Sequence, residues 1–246
     1  MLCLFKSHYS IGKSILNFSD NSNQSILSIC KDLKLKEIFL VEDSLIGFLE
    51  AFNVLKSNKI NLSFGLRMPF LEEKVSEEAK SFHKIILFAK NPEGYKLLTK
   101  IYSKCHIENK GVLSNNILKE FWDPDDLKLC IPFYDSFLHL NNFSFSSFTP
   151  DFSNFNPIFF IENNGLPFDN LLESKVNKYC ESFNFDTLLS KSIYYRNRSD
   201  FDSFLTYKLI CSRKNFKGSS SFEKPNIDHM GSQEFCIESY LEKCDT

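Results

Sequence analysis

The chain has 246 residues, 43% of them hydrophobic, and a formal net charge of −2. That length and apolar content allow one large α/β domain or two small ones and exclude a wholly disordered chain. The near-neutral charge excludes overall attraction to nucleic-acid phosphate, so such contact would need a local patch.

In chain order, Leu2–Phe5 is a short apolar run with the pattern of a buried first strand, and Gly12 breaks the polar loop after it. The opening MLCLFKSHYSIGKSIL lacks the uninterrupted apolar core of a signal peptide. Ile26, Leu27, Ile29, Cys30 and Leu33 then recur at helical spacing behind Ser25, which predicts an N-capped helix. Ile38–Val41 is the second strand. Asp43 or Ser44 is expected to cap the next helix, with Leu45, Phe48, Leu49, Phe52 and Leu55 on its buried face. Ile60–Phe64 alternates as the third strand. His83 opens the fourth, Ile85–Ala89, whose continuous apolar run predicts a parallel strand buried on both faces.

Asn91, Pro92 and Gly94 end that strand, and from Tyr95 a helix is expected to bury Leu97, Leu98, Ile101, Tyr102 and Cys105. Its lysines, Lys96, Lys100 and Lys104, read as a solvated face. Ile117–Phe121 is helical, and Leu127–Phe133 is a strand interrupted by Pro132. The stretch to Phe160 is dominated by Phe, Ser and Asn, the composition of a surface excursion that tucks its rings inward. Pro157–Ile161 is a strand and Asp169–Phe183 a helix. From Ser212 the chain is polar and is expected to form an extended tail, so residues 1–211 make the domain and 212–246 the tail or linker. Strands alternating with helices at this spacing predict an α/β fold with a parallel sheet.

Eight cysteines form no CxxC pair and sit mostly in apolar periodic segments, the pattern of buried reduced thiols in a cytoplasmic protein. No stretch reaches the roughly 18 uncharged apolar residues of a membrane span. Neither a glycine-rich phosphate loop nor a GxSxG elbow is present.

Four segments carry a resemblance. HKIILFAKNPEGYKLLTKIYS, VEDSLIGFLEAFNVLKSNKINLSFGLRM, the region from LPFDNLLESKVNKYC to FLTYKLI, and NIDHMGSQEFCIESYL together resemble the polymerase-and-histidinol-phosphatase (PHP) domain of the bacterial DNA polymerase III alpha subunit. The last segment is similar to the stretch that leads into the palm. The resemblance implies a distorted (β/α)7 barrel whose active members bind metal ions at the strand ends and hydrolyse phosphoesters.

Placed on this chain, the family's first His-x-His pair falls on Leu4 and Lys6, and the following acid on Lys13. The His of an Asp-His-Gly turn falls on Ser44 behind a kept Asp43, the third-strand Glu on Arg67, a Cys on Phe133, and the late Asp-x-His pair on Ser192 and Tyr194. Of the ligand positions His83 alone keeps its residue type, and isolated histidines of this kind are usually core residues. His8 lies close enough to the first strand to restore one imidazole by a slip in register. Protonated Lys6 and Arg67 repel a metal ion rather than bind it.

The resemblance therefore implies a catalytically inactive, degenerate PHP domain with no cofactor, a scaffold and docking surface in DNA replication. Its expected partners are a DNA polymerase core or another replisome protein, including a proofreading exonuclease, with DNA contacted only indirectly. Phe143–Phe160 and Phe216–Leu241 are expected to offer apolar surface for that docking. Two alternatives stay open, a metal-dependent phosphoesterase or 3′–5′ exonuclease with rearranged ligands, and a free-standing binding protein.

Overall fold

The computed structural model of the chain describes residues 1–19, 22–71, 82–143, 148–212 and 231–244. In chain order they form β1 (Leu2–Phe5), α1 (Ile26–Asp32), β2 (Glu37–Glu42), α2 (Phe48–Ser57), β3 (Asn61–Leu71) and β4 (His83–Ala89). There follow α3 (Pro92–Glu108), β5 (Leu113–Ser114), α4 (Asn115–Phe121), β6 (Leu127–Ile131), α5 (Phe137–Phe143) and β7 (Ile158–Ile161). The last elements are α6 (Asp169–Phe183), β8 (Asp186–Ile193), α7 (Phe201–Ser212) and α8 (Ile237–Cys244). Strand pairing runs β2-β1-β8-β7-β6-β4-β3-β5, and β2 also pairs with β3, so the pairings of seven strands close on themselves. The expected α/β barrel class is met at that level. No helix among the described residues is long and apolar enough to cross a membrane.

The chain packs as two compact units, one made of Met1–Leu62, Glu162–Asp169 and Ser190–Thr246, the other of Ser63–Ile161 and Asn170–Leu189. In the first unit β1 pairs in parallel with β2 and with the end of β8, Leu4 facing Phe39 and Ser192. Leu4, Phe5, Ile38, Leu40, Ile193 and Tyr195 are buried there. Each such apolar side chain contributes about 1.5–3 kcal/mol. Helix α1 begins as its sequence dictates, the Ser25 hydroxyl accepting from the Ser28 N–H.

Helix α2 departs from expectation. Its cap is Gly47 with no side-chain bond, and it buries Ala51 and Leu55, while Leu49 and Phe52 are 66% and 39% exposed. Asp43 is drawn instead to a buried lysine, and the Tyr9 ring presses so closely on Gly47 that a Cβ there would lie 2.5 Å from it.

In the second unit β4 is flanked by β3 and β6 and is antiparallel to both, against the parallel expectation. An apolar run on both faces reports double burial, which either strand direction satisfies. Helix α3 starts three residues earlier than the apolar period suggests. The Asn91 side chain accepts from the Gly94 N–H and Pro92 occupies the first turn, where its missing N–H costs nothing.

In the Phe-rich excursion the described residues after Phe143, itself 37% exposed, turn most of their rings inward. Phe152, Phe155, Phe159 and Phe160 are buried, and Phe137 gathers Phe152, Phe159 and Tyr179 within 5.1–6.3 Å. Residues 144–147 of the excursion lie outside the described residues.

The tail also differs from an extended linker. Residues 213–230 lie outside the described residues, but Phe235 and Cys236 are buried, Phe235 O accepts from the Tyr194 N–H at 2.9 Å, and α8 follows. Arg198 holds this segment, its guanidinium reaching Glu234 at 2.9 Å, Glu238 at 3.2 Å and Glu242 at 2.5 Å.

At Gly94 the obstacle to a side chain is backbone, because a Cβ would meet Asp126 O at 2.1 Å. Gly94→Ala is expected to destabilise the chain by about 1–3 kcal/mol through forced backbone displacement, measured as a lower urea midpoint at unchanged slope.

Candidate functional site

In the first unit, β1 and β2 end side by side and deliver charges into the interior. Lys6 follows β1 and is only 2% exposed, and its Nζ donates to Asp43 Oδ1 at 2.9 Å and to Ser10 Oγ at 3.4 Å. Glu42, fully buried at the end of β2, accepts from the Ser7 N–H at 2.8 Å and from the Ser10 hydroxyl. Burial pushes the Glu42 carboxyl up, and Lys6, Ser10 and Ser7 pull it back. Ser10 Oγ also accepts from the Asp43 N–H at 2.9 Å, so the turn 7–10 ties both strand ends together. A serine between a lysine and a glutamate has the composition of an activated nucleophile. Here the hydroxyl is buried with its hydrogen-bonding capacity taken, and no substrate reaches it.

A second buried network of this unit centres on Glu162. Its carboxylate accepts from the Ser192 N–H at 2.9 Å, the Ser192 hydroxyl at 2.8 Å and Asn164 Nδ2 at 3.0 Å. Lys191, fully buried on β8, donates to Asn164 Oδ1 at 2.6 Å. Burial above all, then Lys243, brings the Lys191 ammonium down to about 8, while Glu162 and Glu234 resist the shift.

The other expected positions of this unit are structural. Leu4 is buried in the core and the Tyr194 ring stacks on Phe235 at 5.2 Å. Lys13 is half-buried in the loop, its N–H donating to Ser10 O, and Ser44 Oγ accepts from the Ile46 N–H. His8 Nδ1 faces Leu16 O at 3.3 Å, a loop contact that gathers no metal ligand.

In the second unit, Arg67 Nη2 donates to Tyr134 O at 3.1 Å and to Asp135 Oδ2 at 3.0 Å. Asp135 takes a left-handed backbone, φ 62°, the region that costs most residues strain and that Asp tolerates better than most. Phe133 is fully buried. His83 lies opposite Phe70, stacks on Phe148 at 4.5 Å and meets the edge of Phe137 at 6.4 Å. Burial lowers its pKa to about 4, a backbone hydrogen bond at Ser136 resisting, so the ring is neutral at pH 7.

Of the positions at which the resemblance implies ligands or their neighbours, the first unit brings Lys6 and Asp43 together, and the second pairs Arg67 with Asp135. Among the described residues no three His, Cys, Asp or Glu side chains gather as a metal-holding set. The lysine face of α3 is partly neutralised, Lys96 by Glu93 and Lys104 by Glu120, each at 2.6 Å.

Sequence reasoning missed Glu42, Ser10, Glu162, Asn164 and Lys191. A signal for the last did exist in Ser190-Lys191-Ser192, a polar triplet set between Leu188-Leu189 and Ile193-Tyr194. The chain matches no protein-family model, and no curated protein matches it.

Lys191 links this site to pH. A lysine whose folded pKa is lowered is neutral when folded and charged when unfolded between about 8 and 10.5, so the unfolded state binds the extra proton and stability rises with pH there. The gain is expected to be roughly 3 kcal/mol at most. Urea titrations from pH 7.5 to 10.5 should show it in the native chain and lose it in Lys191→Met.

Proposed function

We propose that this chain is a PHP-type barrel of the DNA polymerase III alpha class in which internal ion pairs stand where active relatives hold metals, and that it acts as a scaffold and docking surface in DNA replication. The observation that carries this reading is the buried Lys6 ammonium, 2.9 Å from Asp43 at the end of the first strand. A fixed cation there holds the carboxylate and the strand ends without any bound ion. Arg67 does the same for Asp135, and the neutral His83 is walled by rings. Such a site binds structure together and leaves no water-activating centre. The surface offered to a polymerase core or an exonuclease is the apolar stripe on and before α2, with Ile46, Leu49 and Phe52 open to solvent.

Three measurements test the reading. Elemental analysis of the purified chain is expected to find no stoichiometric zinc, manganese or iron, and neither phosphomonoesters nor single-stranded DNA ends should be hydrolysed. Two or more ions per chain, with hydrolysis lost in His83→Ala, would establish the phosphoesterase or exonuclease reading instead. The chain should capture a replicative polymerase core at micromolar concentration, and Leu49→Glu should weaken capture by about tenfold or more. Absence of capture by the folded native chain leaves the free-standing binding protein as the function.

A further inference from the structure

Cys244 is the one exposed cysteine among the described residues, while Cys3 on β1 is buried. The fold brings their segments together from several directions, all within the first unit. Cys3 faces Lys191 across the parallel β1–β8 pairing, and Lys191 reaches Asn164 at 2.6 Å. Lys243, next to Cys244, donates to the adjacent Asn163 O. One turn earlier the Tyr240 hydroxyl donates to Met1 O at 3.4 Å, two residues before Cys3. The last turn of α8 is thereby pinned to Met1 and to Asn163, with Tyr240 and Cys244 on one helical face.

We propose that Cys244 is a modification site for low-molecular-weight disulfides and that Cys3 resolves the adduct, forming a Cys3–Cys244 disulfide that ties α8 to β1. The electrostatics of the cluster agree with its geometry. Burial holds the Cys3 thiol well up, with Cys30 and then Cys244 as the next contributions, and the Tyr240 hydroxyl is raised by burial, then Cys244, then Cys3. This inference is independent of the proposed function.

With glutathione disulfide as oxidant, the Cys244 thiolate attacks one sulfur, the S–S bond breaks, and the departing glutathione thiolate takes up a proton. Cys3 then gives its proton to solvent, its sulfur attacks the Cys244 sulfur, and the second glutathione leaves as a thiol. Two protein thiols are oxidised and one glutathione disulfide is reduced. Because only a thiolate attacks, the raised Cys3 makes the second step slow and faster at alkaline pH. Cys30, also a neighbour of Cys3 and itself pushed up to about 12 by burial, is the competing partner.

The test uses the full chain incubated with glutathione disulfide, digested after quenching, and mapped by mass spectrometry, with the Cys211 peptide followed separately. A cross-linked Cys3–Cys244 peptide, removed by dithiothreitol, is the expected result. Cys244→Ser, at an exposed position that the fold does not need, should show no cross-link. Cys3→Ser should keep glutathione on Cys244. The proposal is overturned if the native chain accumulates the Cys244 adduct without a cross-link, or if the bond forms between Cys3 and Cys30. It is equally overturned if Cys244→Ser consumes Cys3 at the native rate.

Discussion

A lysine ammonium taken out of water costs several kcal/mol unless carboxylates and hydroxyls meet it in fixed positions. Lys6 imposes that condition on the first unit. It requires the end of β1, the turn through Ser7 and Ser10, and the end of β2 to arrive together, because Asp43, Ser10 and Glu42 belong to one network. Removing the cation alone would leave Asp43 without its ion pair and buried Glu42 without a neighbouring positive charge, held by Ser7 and Ser10 alone. The same condition explains why α2 begins late, since Asp43 cannot serve both the lysine and a helix N-terminus.

Buried polar groups recur in this unit with the same logic. Glu162 is met by three donors, and Lys191 gives up part of its basicity rather than stay charged without a carboxylate in contact. The second unit relies instead on aromatic packing, where Phe159 and Tyr179 meet Phe137 edge to face and Phe152 of the excursion meets it at a tilt. His83 belongs to that packing as one more ring within it.

Legibility followed the range over which each decision is made. The cap at Ser25, the strands β1 and β2 and the α6 helix are set by residues a few positions apart and stand where the local pattern puts them, whereas Asn91 caps a helix that begins three residues ahead of its apolar period. The direction of β4 depends on which strands reach its two edges, and an apolar run carries no such information. Asp43 is a plausible cap until a lysine 37 positions away claims it. Glu162 and Ser192 are separated by 30 residues, and the tail helix α8 is fixed by Arg198, 40 and 44 positions before its carboxylates Glu238 and Glu242. No local pattern encodes those encounters, which exist only after β7 and β8 are paired.

The first unit is assembled from both ends of the chain, with β1 paired to residues 190–193 and the second unit's segments lying between them in sequence. β1 finds β2 nearby in sequence, with Leu4 opposite Phe39, but its other edge waits for Ser190–Ile193 at the end of β8, whereas β3, β4 and β6 find one another within a span of 71 residues. Closing so long a loop is entropically dear and slow relative to local pairing. The β1–β8 edge is therefore the pairing expected to form late, after the short-range pairings of the second unit, while Lys6 and Asp43 can already meet at the neighbouring ends of β1 and β2.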